Sequence, residues 1–278
     1  VIIDCHTHLN HYTDETADDL AGCLQRMQQA MRRNRVDVSL VLTSYKISPG
    51  RPSARTVVEA TRHLPNIHVV AGVSWRTLVD EHIEDWRQLL QAGELKGLKL
   101  YPGYEPFYPA DVKLAPVYKL AEEFDVPVMI HCGDTYSPTG KVKFAHPLNV
   151  DEVAVDYPKV KFLICHLGNP WFRDCMEVVY KNDNVYTDIS GLTLGDFSDR
   201  FEAYMRAQLK EMLLWGMNPR KVLYGTDWPL ATMESYLQFV EELKLPPRDR
   251  ELMLWKNAAD LFKLPGPSTG LGSLLRGI

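Results

Sequence analysis

VIIDCHTHL, residues 1–9, opens on three apolar β-formers and carries two histidines one residue apart, His6 and His8, near its end, and seven further short β-rich runs follow it. They are DVSLVLT from Asp37, IHVVAGV from Ile67, GLKLY from Gly97, VPVMIHC from Val126, VKFLICH from Val160, NVYTDIS from Asn184 and KVLYGTD from Lys221. Their interiors are nearly continuous apolar stretches, as expected of parallel strands covered on both faces. Between them the spacing turns helical: Leu20, Leu24, Met27 and Met31 recur at three or four residues, as do Val117, Leu120 and Phe124. Pro109, Pro127, Pro158 and Pro246 stand near segment ends, where a missing N–H does least harm. The pattern predicts a seventh helix over about 201–215, an eighth over about 233–243 and an extra one over about 248–262. Eight β–α alternations in one domain-sized chain predict an α/β fold, a (β/α)8 TIM barrel; an open, doubly wound sheet uses the same alternation. Residues 1–265 are read as a single barrel domain, and the Gly/Ser-rich stretch 266–278 as a C-terminal tail.

With 278 residues, 45% of them hydrophobic, the chain is long enough to bury most of its apolar surface. The net charge of -5 and the scattered lysines and arginines leave no basic face, which argues against a nucleic-acid partner. No apolar run approaches the roughly 20 residues of a membrane span, and residues 1–9 lack the basic start of a signal peptide, so a cytoplasmic, membrane-free protein is expected. The five cysteines, Cys5, Cys23, Cys132, Cys165 and Cys175, have no CxxC spacing and are read as reduced thiols.

A barrel demands that functional side chains gather at the C-terminal ends of its strands. There the sequence puts His6 and His8 on strand 1, His131 on strand 5, His166 on strand 6 and Asp227 on strand 8. Strict alternation makes His6 and His8 point the same way, able to hold one metal ion as a pair, with Asp4 deeper on that face. It also groups Gly97, Lys99 and Tyr101, aiming the Lys99 ammonium into the ring of histidines. An isolated charge there costs several kcal/mol unless it is paired, neutralised or modified. By the same rule Cys5, Cys132 and Cys165 turn outward, toward the helices. His63, His68, His82 and His146 fit surface or capping roles, and His11 is left open. The loops after the strands supply Trp75, Arg76, Tyr101, Tyr104, Trp171, Arg173 and Trp228, a rim suited to a flat or unsaturated carboxylic acid.

Six motifs carry a resemblance over nearly the whole chain: DCHTHL at 4–9, GLKLYPGY at 97–104, PVMIHCG at 127–133, CHLGNPW at 165–171, NVYTDISG at 184–191 and LYGTDWP at 223–229. With them the chain resembles the amidohydrolase superfamily, specifically the amidohydrolase-related branch that includes aminocarboxymuconate semialdehyde decarboxylase and γ-resorcylate decarboxylase. The resemblance implies that His6, His8, His131 and Asp227 bind one divalent metal ion, usually zinc with manganese as the alternative, while His166 faces the substrate or activates water. Elsewhere in the superfamily a carbamylated lysine bridges two metals, a role open to Lys99 with His166; unmodified, Lys99 would bind a substrate carboxylate or carbonyl oxygen. One departure is Asp4, where some decarboxylases of the branch carry Glu.

The leading expectation is metal-dependent hydrolysis of an amide, lactone or ester bond in a small, carboxylate-bearing molecule. A bound ion lowers the pKa of its water to about 7, and Asp227 takes the proton. The alternative is non-oxidative decarboxylation or hydration of an unsaturated or aromatic acid at the same metal. A third reading, a non-catalytic ligand-binding barrel, has no need of five such groups at strand ends. The partner is a small-molecule substrate, and a homo-oligomer is left open.

Overall fold

The computed structural model describes residues 1–10 and 19–264; His11 and the expected tail 266–278 lie outside them. Eight strands form one parallel sheet in sequence order: β1 (Ile3–Thr7), β2 (Val38–Leu42), β3 (Ile67–Gly72), β4 (Leu95–Leu100), β5 (Val128–Ile130), β6 (Phe162–Ile164), β7 (Val185–Asp188) and β8 (Val222–Leu223). Backbone bonds join the ring across the β8–β1 seam. Cys5 N–H donates to Tyr224 O at 3.0 Å, His8 N–H to Trp228 O at 2.7 Å and Asp227 N–H to His6 O at 2.8 Å. The fold is therefore the (β/α)8 barrel, and the open-sheet alternative falls away.

The helices follow from capped, amphipathic segments. In α1 (Leu20–Asn34), Asp19 accepts from Gly22 N–H at 2.8 Å, and Cys23, Leu24, Met27 and Met31 are buried on the barrel side. Next come α2 (Ala54–Thr61), α3 (Asp80–Gln91), α4 (Ala115–Phe124), α5 (Leu148–Asp156), α6 (Phe172–Lys181), α7 (Asp199–Trp215) and α8 (Met233–Glu242). The single extra helix predicted near 248–262 is instead α9 (Pro247–Glu251) and α10 (Asn257–Leu261), joined by a π-helical turn, Leu252–Lys256. The cause is local: Met253 O accepts from Tyr224 N–H of the strand above at 2.9 Å, which widens the turn. Ala258, Leu261 and Phe262 then close the barrel from below, against Ile3, Val38, Leu40, Val70 and Met129. With the bottom apolar and plugged, polar chemistry is left to the upper end. Among the described residues no helix is long and apolar enough to cross a membrane.

β1 departs from strict alternation. Its register runs Ile3 to Val38, Asp4 to Ser39, then Thr7 to Val41, so three steps of β1 advance against two of β2. One extra residue re-aims every later side chain. Two expectations are corrected by it. Cys5 packs in the inner core with Ile3 instead of facing the helices. Asp4, expected deep on the histidine face, is committed to the seam, accepting from His6 N–H at 3.2 Å, Thr226 N–H at 3.0 Å and Thr226 Oγ1–H at 2.6 Å.

His68, half-buried near the start of β3, is pushed down from 6.5 to about 4 by burial and by the Lys96 charge. The unfolded chain therefore takes up a proton between pH 6.5 and 4 that the folded chain does not, so stability falls as pH falls through that window. His68 is expected to contribute about 1–2 kcal/mol of the loss between pH 7 and 5, read from urea midpoints, other buried histidines adding to it. His68→Gln should lessen the loss by that share; a variant with the wild-type pH slope would show that His68 contributes none of it.

Candidate metal centre

Past the bulge, His6 and His8 both reach the upper end of the barrel, where Asp227 meets them from the turn after β8. His8 Nε2 lies 3.0 Å and His6 Nε2 3.7 Å from Asp227 Oδ1. The far side of each ring is tied down: His8 Nδ1–H donates to Leu42 O at 2.8 Å, and His6 Nδ1–H to Asp188 Oδ2 at 2.8 Å. With Nδ1 protonated, each neutral ring turns its Nε2 lone pair toward a carboxylate oxygen. Acceptors gathered this closely require a positive charge between them, a proton or a metal ion. Two imidazole nitrogens and one carboxylate oxygen, converging from three buried side chains, make a donor set that suits a divalent ion of the zinc or manganese type.

Burial, with the Lys99 charge behind it, lowers His6 to about 3; burial also pulls His131 and His166 down. Neutral imidazoles are the form that ligates. Burial works the other way on Asp227, but with a proton bridging it to His8 Nε2 that hydrogen bond and the neighbouring imidazoles outweigh burial and hold the carboxyl below the usual carboxylate range.

His131, at the end of β5, shares the cavity but stands apart from this trio: its Nε2–H donates to Asp134 O at 2.9 Å, and its ring lies 5.0 Å from that of His166. His166 arrives by an irregular route. β6 stops at Ile164, and Cys165–Gly168 is a tight turn with His166 at φ 63° and Leu167 at φ 50°. Left-handed residues of this kind are uncommon outside glycine and cluster at functional sites. Because the turn, beginning only at His166, brings that histidine in, Cys165 keeps the inward direction of Leu163, which overturns its outward placement, and its Sγ accepts from Lys99 Nζ at 2.6 Å inside the barrel. Cys132 does pack on the helix side. Gly191, at φ 60°, closes the floor: a Cβ there would stand 2.5 Å from His166 Nδ1 and 3.0 Å from Asp227 Oδ2.

Asp188 is the residue that the sequence reading passed over. Fully buried at the end of β7, it accepts from His6 Nδ1–H and, through Oδ1, from His166 N–H at 2.8 Å, Ser190 N–H at 3.1 Å and Ser190 Oγ–H at 2.6 Å. Ser190 Oγ, its hydrogen given to Asp188, faces His166 Nδ1 at 2.9 Å. Burial pushes the Asp188 carboxyl up, but the His6 contact and these bonds hold it below the usual range. Its signal was present in NVYTDISG: a lone acid closing an apolar strand, as Asp227 does.

Above the trio opens a cavity of about 800 Å³, lined among others by Tyr45, Arg51, Lys99, Tyr101, Tyr104 and Tyr136. Tyr101 and Tyr104 thus stand where the sequence placed them, but Trp171, Arg173 and Trp228 do not line it. Arg173 points outward from α6 and pairs with Glu211 of α7 at 2.7 Å. Trp171 packs on His146 at 4.7 Å, and Trp228 packs into the helix-side core. Trp75 and Arg76 are pinned by buried Glu105, which accepts from their N–H groups at 2.7 and 3.1 Å; Arg76 faces a neighbouring cavity of about 530 Å³. The arginine lining the main cavity is Arg51, presented from a Ser48–Arg51 turn closed by backbone bonds of 3.1 and 2.9 Å.

Comparison with known proteins adds the family. Residues 3–264 match the model described as Amidohydrolase. A γ-resorcylate decarboxylase from a Polaromonas species is 25% identical over 128 residues, a segment that is 39% of this chain and 36% of that protein. Among solved structures, a dihydroxybenzoic acid decarboxylase from Polaromonas, with bound manganese and 2-nitroresorcinol, superposes with a TM-score of 0.67 at 15% identity, covering 95% of this chain and 97% of that one. A probable 2-pyrone-4,6-dicarboxylic acid hydrolase from Acinetobacter baumannii, with citric acid bound, gives 0.67 at 16% identity over 94% and 99%. These two likenesses speak for the shared barrel. The family match over 3–264 says more: this chain belongs to the amidohydrolases.

Proposed function

We propose that the protein catalyses metal-dependent, non-oxidative decarboxylation of a flat aromatic or unsaturated carboxylic acid. The observation that carries this is a continuous aromatic wall running to the candidate metal ligands. Tyr45 lies 5.1 Å from Tyr101 and is stacked on Tyr104 at 6.1 Å, and Tyr104 lies 4.8 Å from the ring of His131. Such a wall gives a planar ring a face to stack on or to meet edge-on. The decarboxylases among the relatives support the reading. It reverses the order reached from sequence, because the motifs carry only the groups that hydrolysis and decarboxylation share.

His6, His8 and Asp227, with His131 beside them, would hold the divalent ion, which when bound supplies positive charge where negative charge develops. Lys99 adds a second positive charge at the floor. Arg51, at the rim, would grip an acidic group of the substrate through its two-pronged guanidinium. The bond from carbon to carboxylate breaks, CO₂ leaves, and the carbon takes a proton. Asp227 is the base that draws that proton from water and passes it on, while His166, its Nδ1–H tied to Ser190, turns Nε2 toward that water to orient it. One observation favours hydrolysis as the second reading: an Asp227 held as an anion at neutral pH is equally fit to deprotonate a water for attack on a lactone.

The test is a parallel screen of the metal-loaded enzyme, with CO₂ release from γ-resorcylate and related acids set against acid release from lactones and amides. CO₂ release without lactonase or amidase activity is expected; the opposite pattern sinks the proposal. On the working acid, Arg51→Ala should raise KM about 10–100-fold with kcat nearly unchanged. An unchanged KM would remove Arg51 from substrate binding.

A further inference from the structure

The floor of the cavity holds one contact that neither reaction uses. Lys99 Nζ lies 2.6 Å from Cys165 Sγ, and both side chains are fully buried. That is closer than a normal N–H···O bond of about 2.9 Å, although sulfur is the larger atom. The described residues offer the Lys99 amine no carboxylate within hydrogen-bonding distance; the Tyr101 ring centroid lies 5.4 Å away. The approach is built in from both sides. β4 aims Lys99 inward, and Cys165, two residues after inward-facing Leu163, points inward by the alternation of β6, the left-handed turn beginning only at His166.

We propose that Lys99 and Cys165 are a redox modification site that closes into a covalent N–O–S bridge, with dioxygen as the oxidant. One oxygen atom singly bonded to both partners spans the separation seen here. The amine gives up one N–H hydrogen and the thiol its S–H hydrogen; N–O and O–S bonds form as the dioxygen bond breaks, and the second oxygen leaves with both hydrogens as water. Nitrogen and sulfur together lose four electrons, and dioxygen gains four. Two equivalents of a dithiol return four electrons and four protons, regenerating amine, thiol and one water. Lys99 lines the cavity, so a molecule as small as dioxygen reaches the pair by the substrate's path. The bridge removes the ammonium from beside His6 and ties β4 to the turn that carries His166. The oxidised enzyme is the inactive form, and thiol reductants restore it.

The test is peptide mapping by mass spectrometry of protein prepared in air, with and without dithiothreitol. The expected species joins the Lys99 and Cys165 peptides at a mass above their sum by one oxygen less two hydrogens. It shows one titratable thiol fewer than the five of the reduced chain and disappears on reduction. Cys165→Ala, which deletes one sulfur atom, should abolish it; Lys99→Met provides a second variant should the first not fold. Five titratable thiols and only linear peptides after exposure to air would overturn the proposal. So would a Cys5–Cys165 disulfide, recognised by a loss of two hydrogens with no oxygen gained. The mass readout is independent of which reaction the enzyme performs.

Discussion

Asp227→Asn is expected to lower kcat by about 10³-fold or more, equivalent to about 4 kcal/mol of barrier. The carboxylate has two tasks in the proposed chemistry. Its Oδ1 completes the donor set with His8 Nε2 at 3.0 Å and His6 Nε2 at 3.7 Å, and the same group is the base for water. Asparagine keeps the size and removes both capacities. It also brings an NH₂ group that can donate to the His8 and His6 lone pairs, replacing the cation that the aspartate requires. The variant should therefore fold, with a melting temperature equal to or above that of the metal-free wild type, while losing metal and turnover together. Elemental analysis, circular dichroism and kcat on the same preparation check this. An Asn variant that keeps its metal and turns over within tenfold of wild type would remove Asp227 from the chemistry.

The barrel could be read from the chain because parallel strands, covered on both faces, write themselves as continuous apolar runs, and the helices between them keep a clean 3.6-residue stripe. Met27 and Met31 of α1 were found this way. The side-chain directions were less legible. They rested on strict alternation, and alternation breaks at the bulge between Asp4 and Thr7 and at the left-handed turn through His166. Neither irregularity leaves a mark in a hydrophobic pattern, so Asp4, Cys5 and Cys165 were all misplaced. The cavity rim was harder still. Loop residues have no period, and Arg173 and Arg51 look alike in sequence, yet one stands on the outer face of a helix and the other at the cavity. Asp188 differs from these cases, since its place at a strand end was legible by the logic that found Asp227.

Asp188 therefore gives the sharpest test of how the site is held. Asp188→Ala is expected to cost about 10²–10³-fold in kcat and 10–100-fold in metal affinity, as for groups that orient a ligating histidine. It also leaves His166 N–H and Ser190 N–H buried without this acceptor, at about 1–3 kcal/mol each before any relaxation, and His6 Nδ1–H with only Ser190 Oγ at 2.8 Å, so stability falls as well. Asp188→Asn separates the two effects. If its oxygen serves His166 and Ser190, its NH₂ faces His6 Nδ1 and forces the proton to Nε2, which takes the lone pair away from the metal position. If it flips, the NH₂ meets the His166 and Ser190 N–H groups instead, and donors again face donors. Asn should thus retain most of the stability that Ala loses while matching its loss of metal affinity. Calorimetric titration of the metal-free variants with zinc or manganese, alongside urea unfolding, reads both quantities. Wild-type affinity in the Asn variant would show that the His6 tautomer is set elsewhere, leaving Asp188 a purely structural anchor for the turn after β6.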